Sequence, residues 1–134
     1  MTLRRKSREF ALQMLFQWDM ARQKPAQIEK LFWKSAHAAE STRKFANQLF
    51  EGAIAKVDAS DKLIEQHAKN WRLDRMAAID RNILRLAVYE LRWGDTPPKV
   101  VLDEAIELAK RFSSEEAASF LNGILDTVLK SEVK

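Results

Sequence analysis

The stretch Ile79–Leu91 reads IDRNILRLAVYEL, and its apolar positions do not keep to one side when it is placed on a helix. They sweep an arc of roughly 200° at about 100° per residue, and a helix this apolar needs neighbours on several sides. We therefore predict a central helix in an all-helical domain. The side of this helix that lies outside the apolar arc is a basic stripe of Arg81, Arg85 and Arg92, which we expect to face solvent. Glu90 falls within the apolar arc, and because a buried lone carboxylate is costly, we expect it to have a basic or hydrogen-bonding partner on another helix.

The rest of the chain also shows apolar residues at helical spacing, and its 3 Gly and 3 Pro disfavour an all-β architecture with many tight turns. Asn70 is predicted to end a helix. The loop at this point predicts two small antiparallel bundles, about residues 1–70 and 71–134, within a single domain. In chain order, helices are predicted over Arg5–Met20, from Pro25, over Arg43–Val57, from Ser60, over Ala78–Trp93, from Val101 to Phe112, and from Ser113 onward.

Short local signals indicate where some of these helices begin. Asp74 is a predicted N-cap for the central helix. Ser113 and Glu116 have the S-x-x-E spacing of a capping box, in which the Ser side chain caps the last helix. An Asn-Gly pair at Gly123 would indicate a hairpin between two strands. Because both flanks are helical, we interpret Gly123 as a close contact between helices.

Length and composition are those of a globular domain. The 134 residues suit one domain that buries roughly two-thirds of the surface of its unfolded chain. The chain has no Cys, which excludes disulfides, a thiol nucleophile and a cysteine zinc site, and is compatible with the reducing cytoplasm where we expect the protein. No apolar run approaches the roughly 18 residues of a membrane span, so no membrane partner is expected.

The net charge of +4 is concentrated at the N-terminus. Four basic residues and no acidic residue occur among the first eight residues, while the remaining chain has equal numbers of basic and acidic residues. Such a local basic arm on a neutral body favours a phosphate-bearing partner. Bound phosphates would also relieve an unfavourable helix dipole, which prefers anions at a helix start. A frayed, solvated terminus is an open alternative, whereas Glu9 and the lack of a small-residue cleavage site argue against a targeting peptide. The arm comprises Arg4, Arg5, Lys6 and Arg8.

Catalytic constellations are sparse in this sequence. His37 and His67 do not have the H-x-x-x-H spacing of a metal site, and no Cys accompanies them. The sequence contains neither a Gly-rich phosphate loop nor a G-x-S-x-G nucleophile turn. We therefore predict that the protein is not an enzyme and has no metal and no cofactor.

Two aromatic residues are candidates for contacts with bases. Arginine guanidinium groups grip phosphates and stack on bases, and single-stranded RNA is recognised by aromatic side chains that stack on its bases. Phe16 lies roughly two to three turns beyond the arm on the first helix, and Phe120 lies about one turn into the last. A place in the core is the open alternative for both, while Trp18 fits the apolar stripe and is predicted to be core.

Three segments of the chain carry a specific signature. They are RRKSREFALQMLFQW from Arg4, DRNILRLAVYEL from Asp80, and KVVLDEAIELAKRFSSEEAASFLNGILD from Lys99. Together they resemble the NusB family of bacterial transcription antitermination factors over nearly the whole chain. The resemblance implies an all-helical fold of seven helices in two small bundles. It also implies a cytoplasmic factor that pairs with the small-subunit ribosomal protein NusE, binds single-stranded boxA RNA, and helps RNA polymerase resist termination, notably in ribosomal RNA operons.

The same resemblance assigns residues to two surfaces. Lys6 stands where the family more often has Arg, and Lys lacks the planar guanidinium fork. Glu116 is acidic and would temper the affinity for phosphate. Asp74 and Asp80 match acidic positions that face the RNA or NusE, and we assign them to partner binding. The RNA-binding set that the resemblance implies is Arg4, Arg5, Lys6, Arg8, Phe16, Glu116 and Phe120.

Two further classes of function stay open at this point. A NusB-like domain precedes the catalytic domain of some ribosomal RNA cytosine methyltransferases. Because this sequence ends at Lys134 without a cofactor-binding α/β region, it would be enzymatic only as a fragment. The other alternative is a helical protein-interaction scaffold on which the basic arm is incidental. The sequence leaves open whether the free protein is a monomer or a homodimer.

Overall fold

Helices make up most of the computed structural model, which describes residues 3–68 and 71–131. Across these residues there are seven α-helices, a short 3-10 turn at Leu73–Arg75 and no strand, which confirms the predicted all-α class. The helices are α1 (Leu3–Ala21), α2 (Pro25–Ser35), α3 (Glu40–Ala55), α4 (Val57–His67), α5 (Ala78–Trp93), α6 (Pro98–Phe112) and α7 (Glu115–Ser131).

The chain divides into two compact units, Met1–Ala55 and Lys56–Lys134. The boundary therefore precedes α4 and does not lie near residue 70, because α4 packs against α5 and α7. The predicted helix end at Asn70 lies outside the described residues, and α4 ends at His67. A single domain over residues 1–134 stays a prediction.

The first unit is organised around α1, which packs against α3 and α2. Leu12 and Leu15 of α1 are fully buried, as are Ile28 of α2 and Phe50 of α3. Their burial contributes roughly 1.5–3 kcal/mol for each side chain. Trp18 is buried with them, as its place in the apolar stripe predicted.

Helix α2 begins at Pro25, as predicted, because the fixed φ angle of proline suits the first position of a helix. Three aromatic rings join α2 to α1. The centroid of the Phe10 ring on α1 lies 5.7 Å from that of Phe32 and 5.1 Å from that of Trp33, both edge-to-face. Edge-to-face pairs contribute about 0.5–1.5 kcal/mol beyond the burial of their area. Leu31 on the same helix is exposed.

The second unit is organised around α5, which packs against α4, α6 and α7. Ile83, Leu84, Leu86 and Val88 are all buried, although they point to different sides of the helix. The wide apolar arc therefore has the several neighbours that the sequence predicted.

The predicted exposed stripe of α5 is wrong at Arg85, which is only 5% exposed. Its Nε and one terminal nitrogen donate to the two carboxylate oxygens of Asp61 on α4, at 2.8 and 3.0 Å. Nη1 of Arg85 also donates to Asn82 at 3.1 Å. Such a bidentate ion pair offsets the cost of burying the guanidinium. Arg85 is thus an internal link between α4 and α5.

Glu90 is buried, as its position in the apolar arc predicted. Its carboxylate accepts a hydrogen bond from the Thr96 hydroxyl at 3.3 Å. Thr96 lies in the loop between α5 and α6, so this partner comes from a loop and not from a helix. The contact helps to fix the loop that follows α5.

Two interpretations concerning α7 are corrected by the structure. The side-chain cap is Ser114, whose Oγ accepts from the backbone N–H of Ala117 at 3.0 Å, so the cap lies one residue later than the predicted Ser113. Ser113 instead ends α6, donating its N–H to the Ala109 carbonyl. Gly123 is exposed, and a Cβ placed on it would meet nothing within 4 Å, so it is not a close contact between helices in the described structure.

The predicted N-cap at Asp74 is wrong as well. Asp74 lies inside the 3-10 turn, and α5 starts after Ala77. The 3-10 turn places Leu73 in the core, and this burial takes precedence over the local capping preference of Asp74.

In the described part of the chain, no helix is both long and apolar enough to cross a membrane.

Candidate nucleic-acid interface

The basic arm forms the first turns of α1. The Arg4 guanidinium lies 4.0 Å from the centroid of the Phe45 ring on α3, and that of Arg8 lies 5.8 Å from the same centroid. Arg4 is exposed, whereas Arg8 is 3% exposed. Cation–π contacts of this kind contribute about 0.5–2 kcal/mol and hold a guanidinium in a defined place. Arg4 therefore offers its charge to a ligand, while Arg8 mainly supports the packing of α1 on α3.

Lys6 is the other exposed cation of the arm. Its Nζ lies 3.8 Å from Glu9 Oε1, and the Lys6 side chain is 46% exposed while that of Glu9 is buried. Arg5 is half-buried. The first turn of α1 contains no acid, so its basic residues lie near the positive end of the helix dipole. An anion bound here would be attracted by both the side chains and the dipole.

Phe16 lies further along α1 and is 39% exposed, so it is not a core residue. The arm residues and Phe16 belong to the same helix and the same unit. We call Arg4, Lys6, Phe45 and Phe16 the α1 surface. Its members are cationic and aromatic side chains of one unit, the residue types that single-stranded nucleic acid favours. Arg4 and Lys6, two residues apart, point to different sides of α1.

The second unit carries another exposed aromatic pair. The half-buried Phe120 on α7 meets Trp71 edge-to-face, with ring centroids 5.2 Å apart. Trp71 is 57% exposed, the highest fraction among the large hydrophobic residues described. We call Trp71 and Phe120 the Trp71 surface. Sequence reasoning missed Trp71, although a tryptophan in the polar stretch NWRLD, outside any apolar stripe, was a signal that could have found it.

Three acidic residues from the predicted sites also lie in the second unit. Glu116 is exposed in the first turn of α7. Asp74 pairs with Arg72 at 2.9 Å, and since both side chains are about two-thirds exposed, the pair contributes at most about 1 kcal/mol. Arg72 follows Trp71 directly, so Asp74 and its partner lie in sequence beside the Trp71 surface.

Asp80 differs from these two acids, because it is half-buried in the first turn of α5. Its Oδ1 atom is buried and accepts no hydrogen bond from any described residue. The carboxylate is stabilised by its place at the positive end of the α5 dipole. Its assignment to partner binding, like that of Asp74, stays a prediction.

The histidines and acids do not form a metal site in residues 3–68 and 71–131, where no group of three or more potential ligands comes together. His37 is exposed in the loop after α2, and His67 is the last residue of α4.

Exposed cations and aromatic rings on helices are typical of the class of nucleic-acid-binding proteins. Residues 5–130 match the NusB family. The transcription antitermination protein NusB of Koribacter versatilis is 51% identical over 129 residues, covering 95% of this chain and 88% of its own. The NusB of Myxococcus xanthus is 46% identical over 133 residues, covering 96% and 95%.

A solved structure of the antitermination factors NusB and NusE in complex with dsRNA contains a similar chain. It superposes with a TM-score of 0.88 at 27% identity and covers 96% of this chain and 97% of that one. The chain belongs to the NusB family of transcription antitermination factors, and its function is therefore not enzymatic.

Proposed function

We propose that this protein binds single-stranded boxA RNA together with the ribosomal protein NusE, and so helps RNA polymerase in the cytoplasm to resist termination, notably in ribosomal RNA operons. Membership of the NusB family supports this proposal, since related chains are antitermination proteins and a similar chain has been solved with NusE and dsRNA. The proposal makes the active form a heterodimer.

The observation that carries the RNA part of the proposal is the α1 surface. Arg4 is held by Phe45 at 4.0 Å and is still exposed, and Lys6 is exposed close by in sequence. An arginine ordered before binding loses less side-chain entropy when it grips a phosphate. The α1 surface is therefore prepared for a polyanion.

Exposed aromatic rings favour single-stranded over fully paired RNA as the ligand. The bases of a single strand can be splayed out and stacked, whereas those of a duplex are already stacked on one another. Phe16 on the α1 surface, and Trp71 with Phe120 on the Trp71 surface, offer such stacking positions. Glu116, near the Trp71 surface in sequence, would limit the affinity for phosphate there.

For the protein partner, we propose that Asp74 and Asp80 contribute to the surface that NusE meets. Support for Asp74 comes from its exposed carboxylate, which a partner can reach. The assignment of Asp80, which is half-buried, rests on the family resemblance.

The test of the RNA proposal measures the affinity of the full chain for boxA RNA in the presence of NusE, as a function of salt. The variant Arg4→Ala/Lys6→Ala removes two exposed cations and leaves the buried Arg8 in place. We expect the affinity to fall roughly tenfold. The slope of log K against log salt should become shallower by about 0.7 for each phosphate that the variant no longer neutralises.

The matched control is Lys24→Ala/Lys44→Ala, which removes the same charge from exposed positions of the same unit. It should change the affinity less than twofold. If the arm variant retains both the affinity and the salt slope of the unmodified protein, the α1 surface does not bind RNA, and the scaffold alternative gains support.

A further inference from the structure

A cleft of about 490 Å³ opens on the first unit between α2 and α3. This volume lies within the roughly 300–1,000 Å³ of ordinary ligand sites. The cleft is not part of the α1 surface, and none of its lining residues was singled out in the sequence. It is lined by Ala26, Glu29, Lys30, Trp33, Lys34, Arg43 and Asn47.

Three of the lining residues are exposed cations, Lys30, Lys34 and Arg43. Within the described part of the chain, none of the three takes part in an ion pair. The Arg43 guanidinium instead lies over the Trp33 ring, 5.5 Å from its centroid. These positive charges are therefore available to an anion.

The acid in the cleft does little to cancel those charges. Burial raises the pKa of Glu29 from 4.5 to about 8, and a hydrogen bond to Glu51 and the charge of Glu51 act in the same direction. The burial is visible in the geometry, because Glu29 Oε2 is shielded from solvent and has no hydrogen-bond partner among the described residues. Because the raised pKa keeps a proton on the Glu29–Glu51 pair, this pair carries less negative charge than two free carboxylates, and the three cations of the lining outnumber it.

Trp33 and Asn47 add groups that suit a base. The indole Nε1–H of Trp33 donates to Asn47 Oδ1 at 2.9 Å, which fixes the amide and leaves its N–H groups for another acceptor. A nucleobase could stack on the indole ring of Trp33 in the place of the Arg43 guanidinium. The displaced guanidinium would then be free to pair with the phosphate of the same nucleotide. Tryptophan is an effective stacking partner for bases, and a stacked base contributes about 1–3 kcal/mol.

We infer that the cleft between α2 and α3 holds one nucleotide of the bound RNA outside the α1 surface, with its phosphate on Lys30, Lys34 and Arg43 and its base on Trp33. The inference rests on the proposed RNA-binding function and extends the RNA path to a second place on the first unit. A free nucleotide has the same chemistry, so the experiment must separate the two sources.

The test compares boxA RNA alone with boxA RNA lengthened by single-stranded flanks, using the full chain with NusE. For the lengthened RNA, we expect Lys34→Ala/Arg43→Ala to lower the affinity roughly fivefold and to reduce the salt slope by about 0.7 for each phosphate that is no longer neutralised. The control Lys24→Ala/Lys44→Ala removes equal charge from exposed positions outside the cleft, and should have less than a twofold effect.

Equal decreases in affinity for the cleft variant and its control would overturn the inference, because the effect would then be one of net charge. Weaker binding by the arm variant Arg4→Ala/Lys6→Ala, with full affinity in the cleft variant, would leave the proposed function intact and overturn the inference alone. If neither variant weakens binding, both fail.

A crosslinking experiment gives a readout that a general charge effect would not produce. Lengthened RNA carrying 4-thiouridine in its flanks should crosslink to the α2 segment that contains Trp33, and Trp33→Ala should abolish this product. Absence of any crosslink on α2 or α3 would overturn the inference. So would a titration in which adenosine or uridine monophosphate binds the cleft while the RNA affinity of the cleft variant is unchanged, since the cleft would then serve free nucleotides.

Discussion

Gly123 stands in the middle of α7 with open space around it, where a glycine costs stability. Its φ angle is not positive, and a Cβ at this position would meet no atom within 4 Å. Glycine in a helix interior is about 0.8–1 kcal/mol less favourable than alanine, because its backbone has more conformational freedom in the unfolded chain and loses it on folding.

We predict that Gly123→Ala raises the free energy of unfolding by about 1 kcal/mol. Urea denaturation followed by circular dichroism measures the change. The matched variant is Gly94→Ala at the end of α5, where a Cβ would lie 2.8 Å from the Glu90 carbonyl oxygen. Since that oxygen is backbone and cannot move aside, Gly94→Ala should destabilise the protein by about 1–3 kcal/mol. A lower free energy of unfolding for Gly123→Ala would contradict the open space that surrounds this residue.

Residue-level prediction from the sequence succeeded where burial follows from periodicity and failed where it depends on neighbours. Trp18 and Glu90 are buried as the spacing indicated. Gly123 was wrongly assigned, because the sequence does not show whether a helix face meets a neighbour. Trp71 was missed although its polar surroundings in sequence indicated exposure; only its pairing with Phe120, which is distant in sequence, could not have been predicted locally.

At the scale of elements, α4 and α5 are joined by the ion pair between Asp61 and Arg85. The guanidinium is nearly buried, while the Asp61 side chain is 26% exposed. Removing one member of such a pair leaves a buried charge without its partner, which costs more than the pair itself contributes.

We predict that Asp61→Ala lowers the free energy of unfolding by about 3 kcal/mol, whereas Asp61→Leu/Arg85→Met costs less than Asp61→Ala alone. The double replacement removes the buried charge together with its partner and keeps apolar volume. Urea titration of Asp61→Leu, Arg85→Met and the double variant gives the coupling energy. A single variant that is destabilised by less than about 1 kcal/mol would mean that solvent already satisfies Arg85.

The helices themselves were predictable because their apolar spacing is regular, whereas their ends and ion pairs were not. Ser113 and Ser114 are adjacent serines, and the pattern S-x-x-E selected the first while the structure uses the second. Arg85 shares its spacing with Arg81 and Arg92, so only the position of Asp61 on α4 distinguishes it. Local sequence does not contain that information.

At the scale of the whole molecule, the raised pKa of Glu29 links stability to pH. The folded protein holds this proton up to a pH of about 8, whereas the unfolded chain releases it near 4.5. Between these values the folded state binds more protons than the unfolded state, so this group's contribution to stability falls as the pH rises.

We predict that the melting temperature of Glu29→Gln decreases less than that of the unmodified protein between pH 6 and pH 9, because the amide does not ionise. The difference between the two pH profiles reports the Glu29–Glu51 pair, since all other groups are shared. Thermal melts in buffers of matched ionic strength measure it. Parallel pH profiles for the two proteins would show that Glu29 titrates normally.

The location of charge could be read from the sequence because the four basic residues of the arm lie between Arg4 and Arg8, although the structure buries Arg8. The division into units was predicted too late, near residue 70 and not at residue 55, since α4 has no sequence feature that assigns it to the following helices. The cleft between α2 and α3 was not predicted at all. Its residues come from two helices and are ordinary polar surface in each.

The uneven burial of the four tryptophans gives the molecule optical reporters that belong to separate units. Trp18 is shielded from water in the first unit, whereas Trp71 is open to it in the second. An indole in contact with water emits at longer wavelength than a shielded one, and a soluble quencher such as iodide reaches it more readily. Ligands that cover Trp71 will therefore change the red side of the emission spectrum, to which the exposed Trp93 also contributes, while the blue side, from Trp18, stays in place.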